Sequence, residues 1–407
     1  MVITVLKSRL LKLFASRTRL AMVLGAVVAG AALAVPTAAG AAAAATGAVQ
    51  PGAVTSSRAA PSPAALGAVH CWTLTNCLAV GANAPQMATQ LIAERWNGTR
   101  WARSAMPKPA GAAEVTISAV ACPSRSECVA VGAGYPPAGS KGASAFPIAD
   151  YWNGAHWTAG RAAAAGSGGG LAAVSCPAAR NCYGVGTYTP KGTSKLIPLI
   201  EHWNGAAWSR QNAPVPAGTT FGELTAVSCP TAKFCAAVGT DGSGELIERL
   251  TASGWSKTTP RSASSAMLYG VSCPSASSCF AVGSNLTTSG GSLAVRWNGR
   301  AWSQSTTPVP HKASFAGLQA VSCVSAAHCL AVGEDVNPGV YADSWNGSGW
   351  HLVSLTTTGG HLGAFYAVSC LSATHCVALG GTTQIAASAR PESAFWNGTR
   401  WKVVPTA

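Results

Sequence analysis

The chain has 407 residues, of which 48% are hydrophobic and only 10% charged, with 45 Gly and 24 Pro. That profile excludes a charge-rich disordered protein and supplies ample apolar material for a buried core. The formal net charge is +14, yet the basic residues are scattered and form no Lys/Arg run, which argues against nucleic acid as a partner.

Residues 1–41 read as a signal peptide. Lys7, Arg9, Lys12, Arg17 and Arg19 form a basic opening, and Leu20 to Val35 is an apolar stretch of 16 residues. Pro36 and then Ala39-Gly40-Ala41 follow, a small-x-small site of the kind a signal peptidase cuts. The apolar stretch is shorter than the ~20 residues a membrane span needs. Arg17 and Arg19 are not adjacent, as a twin-arginine signal requires, and the first cysteine, Cys71, lies far from the cut, which argues against a lipoprotein. No second apolar span follows, so the cleaved protein is expected to be secreted, extracellular or held at the cell surface, without a membrane span. Loss of the leader takes the net charge from +14 to +9, a mild cationic excess that suits anionic cell-wall polymers. Residues 42–65 are almost entirely Ala, Gly, Pro, Ser, Thr and Val and read as a disordered Ala/Pro/Ser linker.

From residue 66 to 407 one pattern recurs seven times. Its first half is Ala-Val-Ser-Cys-Pro, a few polar residues, then Cys-x-Ala-Val-Gly. The cysteine pairs are Cys71/Cys77, Cys122/Cys128, Cys176/Cys182, Cys229/Cys235, Cys273/Cys279, Cys323/Cys329 and Cys370/Cys376, which uses all 14 cysteines. The second half is acidic-x-Trp-Asn-Gly-x-x-Trp, with pairs Trp96/Trp101, Trp152/Trp157, Trp203/Trp208, Trp297/Trp302, Trp345/Trp350 and Trp396/Trp401. The fourth copy keeps only Trp255. First cysteines are 44 to 54 residues apart, so insertions fall in loops while the repeat stays in phase.

Each copy supplies about four short strands. In the sixth, Leu318 to Cys323 and Cys329 to Gly333 are the first two. In the first, Leu91 to Trp96 is a third that runs into Asn97-Gly98, a hairpin signal because both residues tolerate positive φ. The fold class is therefore all-β: a seven-bladed β-propeller over residues 66–407, with one Cys-x5-Cys disulfide inside each blade. The terminal repeats look like the middle ones, as expected of a closed ring rather than a capped stack. If the Cys strand opens each blade, no strand is exchanged between the ends and the ring closes by packing alone. The closed ring is expected to be monomeric.

Each Cys-x5-Cys spans a tight hairpin in which paired strands bring the two cysteines within disulfide reach. Pro123, Pro177, Pro230 and Pro274, directly after the first cysteine, are expected to pre-set the turn. Zinc would need closer Cys/His spacing, and redox chemistry would need Cys-x-x-Cys; neither is present, so no metal and no cofactor is expected.

The Trp-Asn-Gly-x-x-Trp segment resembles the Asp-box of sialidase-type propellers, whose pattern is Ser-x-Asp-x-Gly-x-x-Trp. Gly98 and Trp101 match its Gly and last Trp, while Trp96 replaces the Asp and Glu94 the Ser. In that family the box is a folding element remote from the active site, so the resemblance implies fold and no hydrolysis. The repeat as a whole is similar to secreted propeller-repeat proteins of Ala-rich actinobacterial genomes, a likeness that implies no particular activity.

The tryptophans recur in nearly every copy and read as packing between blades, and the acids before them (Glu94, Asp150, Glu201, Glu248, Asp343) as cross-strand partners. Function is expected where the copies differ. The second residue after the Ala-Val-Gly glycine is Asn83, Gly134, Tyr188, Asp241, Asn285, Asp335 and Thr382, and Glu334-Asp335 is the only adjacent acidic pair. Asn83, Tyr188, Asp241, Asn285, Glu334 and Asp335 are the candidate ligand-binding residues, at strand ends on one face of the ring; ordinary turn composition is the competing explanation. The expected function is a secreted, non-catalytic binding or scaffold protein for a cell-wall glycan, another envelope polymer or an extracellular protein. The alternative is a glycan-active hydrolase or lyase at the central channel, which would need two carboxylates from among Asp241, Glu245, Glu334 and Asp335.

Overall fold

Short apolar runs broken by two-residue polar turns leave the chain little choice but antiparallel hairpins, and the computed structural model shows seven sheets of them. It describes residues 65–83, 88–140, 144–163, 166–258, 266–285, 291–310, 316–335, 339–353, 357–358, 364–381 and 391–407. The leader, and the linker up to residue 64, lie outside the described residues. Blade one consists of β1 (Ala65–Thr73), β2 (Asn76–Ala82), β3 (Leu91–Trp96) and β4 (Trp101–Met106), hydrogen-bonded in that order and antiparallel throughout. Six further sheets repeat this order, with first strands that begin at Glu114, Gly168, Glu223, Ala266, Ala316 and Ala364. The last gains a short parallel strand, Thr357–Thr358, beside Trp401–Pro405.

The Cys strand is innermost. First strands of successive blades contact one another all round the ring, including the first blade against the last. The ring thus closes without strand exchange, as the sequence pattern implies. There are seven small cores, one at each blade interface, rather than one. In β2, Leu78 and Val80 pack toward blade two while Cys77 and Ala79 pack toward blade seven. A strand buried on both faces needs small apolar residues at every position, which is what Cys-x-Ala-Val-Gly provides.

The glycine of that motif answers a bulge. In every blade the register of the first pair slips by one residue opposite it, as between Leu66 and Ala68. A Cβ on Gly132, Gly186, Gly239, Gly283, Gly333 or Gly380 would lie 1.8–2.1 Å from a first-strand carbonyl oxygen. Only glycine fits.

The serine before the first cysteine joins neighbouring blades. Ser175, Ser228, Ser272, Ser322 and Ser369 each accept the cysteine N–H of the following blade, at 2.9–3.2 Å. The two junctions without this bond are those where the serine is replaced, by His70 before Cys122 and by Ala121 before Cys176. At the closing junction, Trp101 Nε1 also donates to Ser393 Oγ at 2.9 Å, and Glu94 accepts Ala407 N–H at 2.9 Å.

All seven disulfides form within blades, with Cα separations of 4.0–4.1 Å. Seven such bonds point to folding in an oxidising compartment. The second cysteine of every pair is part of the buried interior: Cys77, Cys128, Cys182, Cys235, Cys279, Cys329 and Cys376 are at most 6% exposed. These sulfurs cross-link and pack.

The strand pairing expected at the cysteines holds in three blades only. Cys71/Cys77, Cys323/Cys329 and Cys370/Cys376 are register partners. In the other four, Cys122/Cys128, Cys176/Cys182, Cys229/Cys235 and Cys273/Cys279 fall inside a second register slip, and the disulfide itself spans the gap. Those four are the blades with a proline after the first cysteine, and the prolines behave differently from expectation. Pro123 lies inside its strand, within the slip between Ala121 and Ser124, and the turn is two residues further on. A bulged residue makes no ladder bond, so proline's missing N–H costs nothing there.

The Asn-Gly hairpins also differ in mechanism. Trp96 pairs with Trp101 across four loop residues, and only Gly98 has positive φ (96°). Asn97 acts instead through its side chain, whose Oδ1 accepts the N–H groups of Thr99 and Arg100 at 3.0 Å each. The same arrangement recurs at Asn153, Asn204, Asn298, Asn346 and Asn397.

Candidate functional site

The antiparallel order gives the ring two unlike faces. Every disulfide hairpin and every hairpin before the fourth strand turns at one end of the blades, the hairpin face. Every connection from second to third strand, and from one blade to the next, opens at the other end, the loop face. Repeat-length variation is therefore confined to the loop face.

The tryptophans are in the cores. The seven second tryptophans are at most 9% exposed, and each first tryptophan leans on its partner with ring centroids 5.3–5.8 Å apart. The recurrent acids are cross-strand neighbours of Arg103, Arg210 and Lys257 in three blades: Glu94, Glu201 and Glu248. They also hold backbone. Glu201 accepts the N–H of Ala163 at 2.9 Å and Asp150 that of Gly160 at 3.2 Å, while Asp343 accepts the Tyr341 hydroxyl at 2.7 Å. Burial pushes Asp150 and Asp343 up to about 7 and Glu201 and Glu248 up to about 8.

The candidate ligand residues all lie at the loop-face ends of second strands or just beyond them. Asn83 closes its own loop, since its Oδ1 accepts the N–H groups of Thr89 and Gln90 at 3.1 Å each. Asp241 does likewise with Ser243 and Gly244 and pairs with Lys257 at 2.9 Å. Burial alone would raise the Asp241 carboxyl, but the bonds from Ser243 and Lys257 outweigh it and hold the group below its ordinary value. Tyr188 is half-buried beside a cleft between blades two and three, with the Arg210 guanidinium 5.0 Å from its ring centre. Asn285 ends its strand opposite Gly291. Glu334 is 6% exposed. Asp335 ends the same strand, and Thr382 lies outside the described residues.

One grouping at the axis was missed by pattern alone. Tyr269 stands at the bulged place of the fifth innermost strand, where other blades carry Gly67, Ser118, Ala172, Thr225, Gln319 and Tyr366. Its hydroxyl lies 3.1 Å from Ser284 Oγ. Burial raises its pKa, and the negative charges of Glu223 on blade four and Glu334 on blade six raise it further. Nearby on blade four, Glu223, Thr240 and Glu245 stand in one cross-strand row. Neither Glu245 oxygen has a partner, and burial lifts this carboxyl to about 7. Polar residues thus gather on blades four to six, where blades one and seven offer Ala82 and Gly381 at the Glu334 position. The sequence signal was weak, since Tyr269 departs from the small residues of the first four blades but not from Tyr366 of the seventh. Among the described residues there is no group of three His, Cys, Asp or Glu side chains arranged for a metal, and no helix long and apolar enough to cross a membrane.

No protein-family model matches the chain, and no curated protein does. Among solved structures it is similar to the BP39L lectin from Burkholderia pseudomallei, with 14% identity, a TM-score of 0.52, and coverage of 85% of this chain and 99% of that one. It is also similar to YCF48 from Cyanidioschyzon merolae, at 14% identity and a TM-score of 0.51, over 79% of this chain and 94% of that one. A third is the GH74 enzyme of Niastella koreensis, at 13% identity and a TM-score of 0.51, over 84% of this chain and 54% of that one. At such identities the likeness shows the propeller fold alone.

Proposed function

We propose that this is a secreted binding or scaffold propeller that engages a cell-envelope glycan or an extracellular protein through its loop face. The observation that carries the reading is the division of labour between the two faces. Hairpin-face turns keep one length in every blade and spend the Asn side chains on closing their own loops, whereas the differences in length between blades are collected at the other end. The leader 1–41 directs export, and the seven disulfides suit the compartment reached. Retention of the secreted chain on isolated cell-envelope polysaccharide or on co-purified surface proteins tests it. Saturable retention is expected, and absence of retention on both would overturn it.

A second reading, a glycan-active enzyme, is favoured by one observation: Glu223 and Glu334 flank Tyr269 near the axis, with Glu245, whose carboxyl is lifted to about 7, on the same blade as Glu223. A Glu334→Gln variant that releases sugar from envelope polysaccharide as fast as the parent would remove Glu334 from that reading, and a loss of release would establish it.

A further inference from the structure

The cleft beside Tyr188 differs in chemistry from the acidic axis. It lies at the loop-face end of the interface between blades two and three and holds about 360 Å³, within the ~300–1,000 Å³ of small-molecule sites. Phe146, Pro147 and Leu199 give it an apolar floor, and among the described residues no acidic side chain lines it. The Arg161 guanidinium lies over Phe146, 3.8 Å from the ring centre. One of its terminal nitrogens donates to the Ala110 carbonyl, and its other nitrogens have no acceptor among the described residues. Stacking and that single bond hold the fork in place with donors to spare. The hydroxyls of Ser144, Ser167 and Tyr188 also face no partner among the described residues.

Two glycines let the backbone of one wall pack close against the neighbouring strand. Gly166 has φ 114°, and a Cβ there would meet the Thr189 carbonyl oxygen at 2.1 Å; on Gly169 it would lie 3.1 Å from Tyr188 Cβ.

We propose that this cleft binds a carboxylated sugar unit of an extracellular polysaccharide, an assignment that rests on the glycan-binding reading above. A preorganised guanidinium with a free edge matches a planar carboxylate bidentately. Aromatic carbon against an apolar floor suits the C–H face of a sugar ring. The serine and tyrosine hydroxyls suit its hydroxyl groups. Among the described residues that line the cleft, Arg161 alone is charged, and a single carboxylate matches that one charge.

The test is calorimetric titration of the secreted chain with a short oligoglucuronate, a neutral gluco-oligosaccharide of equal length and a sugar phosphate. Saturable binding of the oligoglucuronate is expected, with both other probes at least about tenfold weaker. Arg161→Gln should weaken the oligoglucuronate by about tenfold or more, with unchanged thermal unfolding, and Tyr188→Phe, which keeps the packed ring, should also weaken it. Arg300→Gln, on the hairpin face, should bind as the parent. Equal affinity for the neutral probe, preference for the phosphate, or full affinity in Arg161→Gln would each overturn the assignment. If the parent is retained on envelope polysaccharide but does not bind oligoglucuronate, the cleft assignment fails and the wider reading stands. Oligoglucuronate binding without envelope retention would give the reverse.

Discussion

Glu248 offers the sharpest physical test of how the blades are held. It is fully buried, neither carboxylate oxygen has a hydrogen-bond partner, and burial lifts it from 4.5 to about 8, with Lys257 lowering it only in part. Its folded pKa lies above its unfolded one, so the folded state binds the extra proton. The contribution of this group to stability is therefore greatest below about pH 4.5 and is lost as the pH rises toward 8. At about 1.4 kcal/mol per pH unit, ionising Glu248 in place costs on the order of 4 kcal/mol at alkaline pH. Glu248→Gln keeps the shape and removes the charge. It should be close to neutral near pH ~5 and stabilise by on the order of 2–4 kcal/mol near pH ~9. Urea unfolding of parent and variant at both pH values reads the difference. Because the comparison is made at each pH, His70 cancels; burial holds it down to about 4, so its contribution is lost as the pH falls from 6.5 toward that value. An equal effect at both pH values, or a loss of stability at the higher one, would refute an uncompensated buried carboxylate.

Other outcomes follow from the packing. Gly283→Ala should destabilise by about 3 kcal/mol or more in denaturant melts, because its methyl would sit 1.8 Å from the Met267 carbonyl oxygen. Gly291→Ala, with nothing within 4 Å, should be nearly silent in the same assay. Ala121→Ser should add the missing acceptor for Cys176 and raise stability by about 1 kcal/mol, while Ser272→Ala should lose a similar amount. Replacing Cys273 and Cys279 together by Ala should cost about 2 kcal/mol, a small-loop value on the chain-entropy model, measured by thermal unfolding.

The ring was legible in the sequence because its physical demands recur seven times. Paired cysteines six apart mark the innermost hairpin, Trp-Asn-Gly-x-x-Trp marks the outer one, and similar first and last repeats imply closure. The local mechanisms were less legible, since a sequence motif names residues but not bulges. Pro123 looks like a turn former until the register slip that holds it, together with Cys122 and Cys128, is seen. Asn97 looks like a positive-φ residue until its side chain is found to close the loop. The axial grouping was harder still. Glu223, Tyr269 and Glu334 belong to three blades and are separated by tens of residues, so only the closed ring brings their charges into range. The Tyr188 cleft joins the position singled out by repeat comparison to Arg161 and Phe146, which sit in loop-face segments with no repeat signature.

The division into a repeated hairpin face and a variable loop face is most directly tested by hydrogen exchange of the secreted chain with and without bound envelope polymer. Protection is predicted in the loop-face segments around residues 88–90, 136–140, 144–147, 166–169 and 241–244, with the Asn-Gly and disulfide hairpins unchanged. Protection concentrated at the hairpins around Arg100, Arg300 and Arg400 would contradict it.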